Sequence, residues 1–188
     1  MRQPNQDMAE QIFAATERLM ARDGLPQLSM HKIAKETAIS AGTIYLYFKS
    51  KEELLEQFAL RVFSNFQQQL ENNVDYSLSF FEQYRQMWLN IWQYLLDNPM
   101  IVSNMHQYQA LPNFFNICKK WDQQGYWAIF CHKAQEAGIL CNLPSRVLFS
   151  LGIESAMNLA HKELFLQDIV DNDILEEVIE RTWRAIQK

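Results

Sequence analysis

The run Ser40-Ala-Gly-Thr-Ile-Tyr-Leu-Tyr-Phe-Lys-Ser-Lys-Glu-Glu-Leu-Leu55 limits most strongly what this chain can fold into. It packs a short helix, a compact turn and the start of a longer helix into sixteen residues. Ser50 followed three residues later by Glu53 is a capping box, so the longer helix opens there. Upstream, Ser29-Met-His-Lys-Ile-Ala-Lys-Glu36 reads as another short helix that begins on Ser29. Only Thr37, Ala38 and Ile39 lie between the two short helices. That is helix-turn-helix spacing, and its second helix is the one offered to a DNA groove.

The rest of the chain repeats apolar residues at three and four, and has only five prolines and five glycines. Ile12, Phe13, Thr16, Leu19 and Met20 stripe a first helix that should stop at Gly24, with Leu25 folding back on Met20 in a Schellman arrangement before Pro26. The helix opened by Ser50 carries Leu54, Leu55, Phe58, Val62, Phe66 and Leu70, a rod on the order of 30 Å. It is expected to be the mechanical link from the DNA-reading end to the second half. Phe80, Tyr84, Met87, Trp88, Ile91, Trp92 and Leu95 mark a helix ending before Asn98-Pro99, and a shorter one holds Met105 and Tyr108. After Pro112 one long helix is expected through Phe114, Phe115, Cys118, Trp121 and Phe130 to near Gly138. Pro144 suits the first turn of another, with Leu148, Leu151, Gly152, Ser155, Ala156 and Leu159. Glu163 to Asp173 reads as a connection, and Asp171, Asn172 and Asp173 cap a last helix striped by Leu175, Val178, Ile179, Thr182, Trp183 and Ile186. No strand signal or repeat competes with this pattern. The fold class is all-α.

Charge bears on function only when divided along the chain. Residues 1–70 hold eight basic and eight acidic side chains, whereas 71–188 hold nine against fourteen, the whole of the net −5. Within 29–51, Lys32, Lys35, Lys49 and Lys51 face Glu36 alone, a small basic patch suited to holding DNA at one end. No apolar run reaches eighteen residues, and Asp7, Glu10, Glu17 and Arg18 interrupt the first twenty, so neither a membrane span nor a signal peptide is expected. Cys118, Cys131 and Cys141 form no CxxC pair and suit reduced thiols in a cytoplasm. His106, His132 and His161 fall on separate helices, and adjacent Cys131-His132 point about 100° apart on a helix. No catalytic residue, metal site or cofactor is expected, and the chain does not read as an enzyme.

Gly42-Thr43-Ile44-Tyr45-Leu46-Tyr47-Phe48-Lys49-Ser50-Lys51-Glu52-Glu53-Leu54 resembles the signature of TetR-type transcriptional regulators, and the match runs from Gln11 to Leu55. The resemblance implies an N-terminal three-helix helix-turn-helix domain, 1–52, and a C-terminal helical ligand-binding and dimerisation domain, 53–188. It implies that Ala41, Gly42, Thr43 and Tyr45 lie near bases, that Tyr47 and Lys51 touch phosphates, and that Ser29 and His31 anchor the backbone. The small side chains of Ser40, Ala41, Gly42 and Thr43 let the backbone approach the groove floor, and Lys49 completes the DNA-contact set. No Arg, Asn or Gln occurs in 37–48, so bidentate base readers are missing, and shape and methyl contacts carry more of the discrimination.

Fourteen of the 24 aromatic residues lie between Tyr76 and Phe130, twice an even share. Ordinary core accounts for most of them, and an apolar effector cavity is the functional alternative. The candidate lining is Tyr84, Trp88, Trp92, Tyr108, Trp121 and Trp127, with Glu154 suited to a cationic ligand. By resemblance, Gly152, Ser155 and Ala156 let the last helices form a four-helix interface with a second copy. The expected function is that of a cytoplasmic, ligand-responsive repressor: a homodimer on a palindromic double-stranded operator, released by a small apolar or aromatic effector. The alternatives are a metal- or redox-sensing regulator acting through its cysteines, and a helical interaction protein without specific DNA binding.

Overall fold

A computed structural model describes residues 4–167 and 170–188. Eleven α-helices account for almost all of the regular structure among them: α1 (Pro4–Asp23), α2 (Met30–Glu36), α3 (Ala41–Tyr47), α4 (Lys51–Leu70), α5 (Phe80–Asp97), α6 (Pro99–Tyr108), α7 (Phe114–Gln124), α8 (Tyr126–Glu136), α9 (Ser145–Leu151), α10 (Glu154–Leu166) and α11 (Asn172–Ile186). The chain is all-α. The one β-bridge among the described residues joins Leu140 to Gln187. By packing, the chain divides into one unit of residues 1–62 with 103–115 and another of 63–102 with 116–188.

In the first unit, Ile12, Leu19, Met20, Ile33, Ile44, Phe48, Leu54 and Phe58 close the core. The Phe13 ring lies 5.3 Å from that of Phe48 and 6.1 Å from that of Phe58. Segment 103–115 joins this unit through polar groups. The Asn104 side-chain amide donates to the Glu17 carbonyl at 2.9 Å, and the Tyr108 hydroxyl donates to the Glu17 carboxylate at 2.9 Å.

α1 stops at Gly24 as its sequence predicts, at a φ of 86° that only glycine adopts without strain. The closure is not the expected Schellman arrangement. Gly24 N–H bonds to Met20 O at 3.0 Å, but the Leu25 N–H donates instead to Gln107 Oε1 at 2.6 Å. Gln107 Nε2 in turn donates to Met20 O at 2.9 Å. One side-chain amide thus stands between the two backbone groups that a Schellman turn would join. That motif occurs one helix later: Ala38 N–H bonds to Lys35 O and Ile39 N–H to Ala34 O, with Ala38 at a φ of 59°. An alanine held left-handed costs about 1–2 kcal/mol, so the tight turn between α2 and α3 is maintained against local preference.

In the second unit, α5 is the central helix. Tyr84, Met87, Trp88 and Ile91 are fully buried, and Trp92 and Leu95 nearly so. Two expected helices are broken. The helix after Pro112 ends at Gln124 and restarts at Tyr126, because Gly125 is extended and its N–H still caps on Trp121 O at 2.8 Å. A β-carbon on Gly125 would stand 2.6 Å from that same carbonyl, and Gln67 Oε1 accepts the Tyr126 N–H that the break leaves open. The helix after Pro144 likewise divides into α9 and α10 at Gly152 and Ile153. The connection expected from Glu163 is shorter too, since α10 continues to Leu166; its residues 168 and 169 lie outside the described ones. Asp171 caps α11 as expected, accepting the Ile174 N–H at 2.9 Å.

The small residues assigned to a dimer contact are used within the chain. Ser155 Oγ accepts the Trp88 indole N–H at 2.8 Å and donates to Gly152 O at 2.6 Å. Ala156 is fully buried, and Gly152 lies against the Tyr84 ring edge. Close approach occurs, but it is α10 onto α5: two large aromatic side chains need small residues opposite them.

Candidate nucleic-acid interface

The candidate DNA-contact residues all belong to the first unit. Ser29 caps α2, its hydroxyl accepting the Lys32 N–H at 3.2 Å, and His31, Lys32 and Lys35 are exposed on that helix. Ser40 caps α3 by accepting the Thr43 N–H at 3.0 Å. Its hydroxyl also lies 2.8 Å from the Thr43 hydroxyl, with either atom as donor. The pair has two O–H protons and uses one between them, so one remains to be donated to a base or phosphate acceptor.

α3 sorts its residues by face. Ile44 is fully buried, while Ala41, Gly42, Tyr45 and Leu46 are exposed and Thr43 and Tyr47 half-buried. Tyr45 is 53% exposed, too open to be a packing tyrosine. A β-carbon on Gly42 would meet only Ser40 Oγ, at 3.7 Å, so the exposed backbone is bare there.

The capping box of α4 is formed with one displacement. Ser50 Oγ accepts the Glu53 N–H at 3.2 Å, but Glu53 Oε2 returns to the Lys49 N–H at 2.7 Å rather than to that of Ser50. The Lys49–Ser50–Lys51 corner is thereby held at both ends. Ion pairing separates the cations of this unit. Glu36 takes Arg18 at 3.2 Å and Arg22 at 3.4 Å, and Asp23 takes Arg22 at 2.9 Å and Lys32 at 3.7 Å. The Arg22 guanidinium, chiefly through its hydrogen bond, holds the Asp23 carboxyl below the usual range. Lys35, Lys49 and Lys51 have no ion pair among the described residues. Of these, Lys49 and Lys51 follow α3 in the chain, around the start of α4.

Four of the six candidate effector residues share the core of the second unit, and Tyr108 and Trp121 lie apart from them. Tyr84, Trp88, Trp92 and Trp127 are buried in the second unit, with Trp88 and Trp92 stacked at 5.8 Å and the Tyr84 and Trp127 rings 6.3 Å apart. Three of the four have their polar atom engaged: Tyr84 with the Thr182 hydroxyl at 2.8 Å, Trp88 with Ser155, and Trp127 with the Ser145 carbonyl at 2.8 Å. Tyr108 lies in the first unit. There burial pushes the Glu17 carboxyl up despite the Tyr108 hydrogen bond and the Arg61 charge. Trp121 is half-buried and lines an open groove of about 270 Å³ with Ser64, Gln67, Glu71 and Tyr126. Glu154 is half-buried on α10. Burial, then the Asp122 charge, pushes the thiols of Cys118 and Cys131 up, away from the thiolate that redox or metal chemistry uses. Among the described residues no three His, Cys, Asp or Glu side chains are placed to hold a metal ion, and no helix is long and apolar enough to cross a membrane.

Comparison with known proteins bears on the whole chain. The family described as "Bacterial regulatory proteins, tetR family" matches residues 12–58, and "Tetracyclin repressor-like, C-terminal domain" matches 79–187. A curated HTH-type transcriptional regulator from Haemophilus influenzae is 58% identical over the full length of both chains. The chain belongs to the TetR family. A crystal structure of a TetR-family transcriptional regulator from Haemophilus influenzae, also 58% identical and matching all of both chains, superposes with a TM-score of 0.93. A TetR-family protein from Vibrio parahaemolyticus is 33% identical over 96% of this chain and 99% of its own, with a TM-score of 0.81. A Bacillus subtilis transcriptional regulator, solved in complex with stearoyl-CoA, shares the fold at 19% identity, covering 94% and 98% of the two chains with a TM-score of 0.74. As a TetR-family member the protein is a DNA-binding transcriptional regulator and not an enzyme. The residues that sequence reasoning passed over are Leu46, exposed on α3 between Tyr45 and Tyr47, and Gln107, whose role depends on a tertiary contact that no local pattern announces.

Proposed function

We propose that the protein is a cytoplasmic repressor that binds a palindromic operator as a homodimer and is released by a small apolar or aromatic effector. One observation carries the DNA part: an α3 face of exposed Ala41, Gly42, Tyr45 and Leu46 is followed in the chain by Lys49 and Lys51, which form no salt bridge among the described residues. Core packing does not explain that face, and a polyanion does. In this reading Ser29, His31, Tyr47, Lys49 and Lys51 hold phosphates, while Ser40, Ala41, Gly42, Thr43 and Tyr45 lie on the bases. The reader domain is assigned to 1–52 and the effector and dimer functions to 53–188.

The homodimer reading is supported by apolar side chains left exposed around the last two helices, Phe165 and Leu166 on α10 and Ile174 on α11. Two heads related by a two-fold axis would read half-sites about 34–36 Å apart or more. For the effector, the groove at Trp121 supplies an indole beside a phenol. Tyr126 stands edge-on to Tyr76 there, with ring centroids 5.9 Å apart, an aromatic pair against which an apolar or aromatic ring could stack.

Selection of duplexes from a random pool tests this reading. An enriched palindrome, bound with steep salt dependence and released by an apolar compound, is the expected result. Lys51→Ala should weaken binding to every sequence and lower the salt slope by about one. Retention of all duplexes alike would leave a non-specific binder, and no retention at low salt would overturn the reading.

A further inference from the structure

We propose that Leu46 is a specificity residue that reads the 5-methyl group of a thymine in the major groove. The inference rests on the DNA-binding reading above. Leu46 is 83% exposed, the most open of the large apolar side chains among the described residues. A leucine stabilises a fold by about 1.5–3 kcal/mol only when it is covered, and here nothing in the fold covers it. Helix propensity does not require it either, since Lys, Gln or Glu would serve α3 as well and be solvated.

Its position gives the reason. Gly42, Tyr45 and Leu46 stand at i, i+3 and i+4 and share one face of α3, while Ile44 and, just past the helix, Phe48 are buried in the core. Gly42 leaves the backbone bare one turn before Leu46. Lys49 and Lys51 follow it in the chain within five residues and form no salt bridge among the described residues. An apolar protein partner does not call for that combination, whereas DNA does: its phosphates take the lysines, and the thymine methyl is the apolar marker on its groove floor. The absence of Arg, Asn and Gln from 37–48 removes the bidentate readers, leaving methyl contact and the one spare hydroxyl proton of the Ser40–Thr43 pair as direct readout.

Deoxyuridine tests the contact, because it pairs as thymidine does and lacks only the methyl. Each thymidine of the selected duplex is replaced singly, and Kd is measured for the wild-type protein and for Leu46→Ala and Leu46→Met. At one thymine per half-site the wild type should lose about fourfold in affinity, the worth of one buried methyl. Leu46→Ala should bind the two duplexes equally at that position, with unchanged salt slope and melting temperature, and Leu46→Met should keep the discrimination. An equal deoxyuridine penalty in wild type and Leu46→Ala, or none at any thymine while specific binding persists, would overturn the assignment and leave the DNA-binding reading standing. A large fall in the melting temperature of Leu46→Ala would make the residue structural and overturn it as well. Failure of the wild-type protein to retain any duplex would remove the DNA-binding reading together with this contact.

Discussion

The two ends of the chain treat their conspicuous residues in opposite ways. In the first unit, Tyr45, Leu46, Lys49 and the bare backbone of Gly42 are exposed, where packing has no use for them. In the second, Tyr84, Trp88, Trp92 and Trp127 are buried against other aromatic rings, and Tyr84, Trp88 and Trp127 are also hydrogen-bonded. A large aromatic side chain has a packing reason to exist almost anywhere in a core. An exposed tyrosine or leucine beside unpaired lysines has none, so exposure of a costly residue points to function more sharply than abundance does.

The largest test of this contrast is Trp88→Ala. If Trp88 is core, its loss should cost about 3–5 kcal/mol in chemical denaturation. A ligand-lining residue would instead change effector release and leave stability nearly alone. Gln107→Ala comes next. It removes the partner of the Leu25 N–H at the half-buried end of α1 and should cost about 1 kcal/mol, read in the same unfolding curves. Ala38→Gly works in the other direction, relieving the left-handed alanine and stabilising the protein by about 1 kcal/mol. Lys51→Ala should change stability by less than about 0.5 kcal/mol while weakening every DNA complex; a larger loss of stability would place Lys51 with the core residues.

The smallest effect is a slope. Burial raises the Glu17 pKa above its ordinary value of 4.5, so the folded state holds a proton that the unfolded state releases. The contribution is present below the ordinary value and is lost as pH rises through the raised one. Glu17→Gln should flatten that part of the stability curve, measured as denaturant midpoints from about pH 4 upward, and Tyr108 can still donate to the amide oxygen.

The legible parts of the fold were those with a local cause. Ser29, Ser40, Ser50 and Asp171 cap the helices they precede, since a cap needs only a side chain and a backbone N–H three residues on. The stripes on α1, α4, α5 and α11 identified their buried faces. The breaks at Gly125 and Gly152 were not legible, because a glycine is tolerated within a helical pattern. What ends each helix is Gln67 reaching across to the Tyr126 N–H, or Tyr84 needing room. The Schellman expectation at Gly24 failed for the same kind of reason: Gln107 competes for the groups that would have closed it.

The candidate site followed the same division. The helix-turn-helix and its lysines could be read from residue types and spacing, because base and phosphate contacts need side chains offered in order along one short helix. Whether an aromatic residue lines a cavity or fills a core depends on what stands opposite it, and Ser155, Thr182 and the Ser145 carbonyl are 18 to 98 residues away from the rings they partner. The sequence by itself determined the helices with local caps, the all-α class and the family. Only the tertiary structure decided which aromatic groups are already satisfied, which lysines Glu36 and Asp23 leave unpaired, and that Leu46 is uncovered. Those outcomes are set by distances between residues far apart in the chain, and periodicity and spacing carry no record of them.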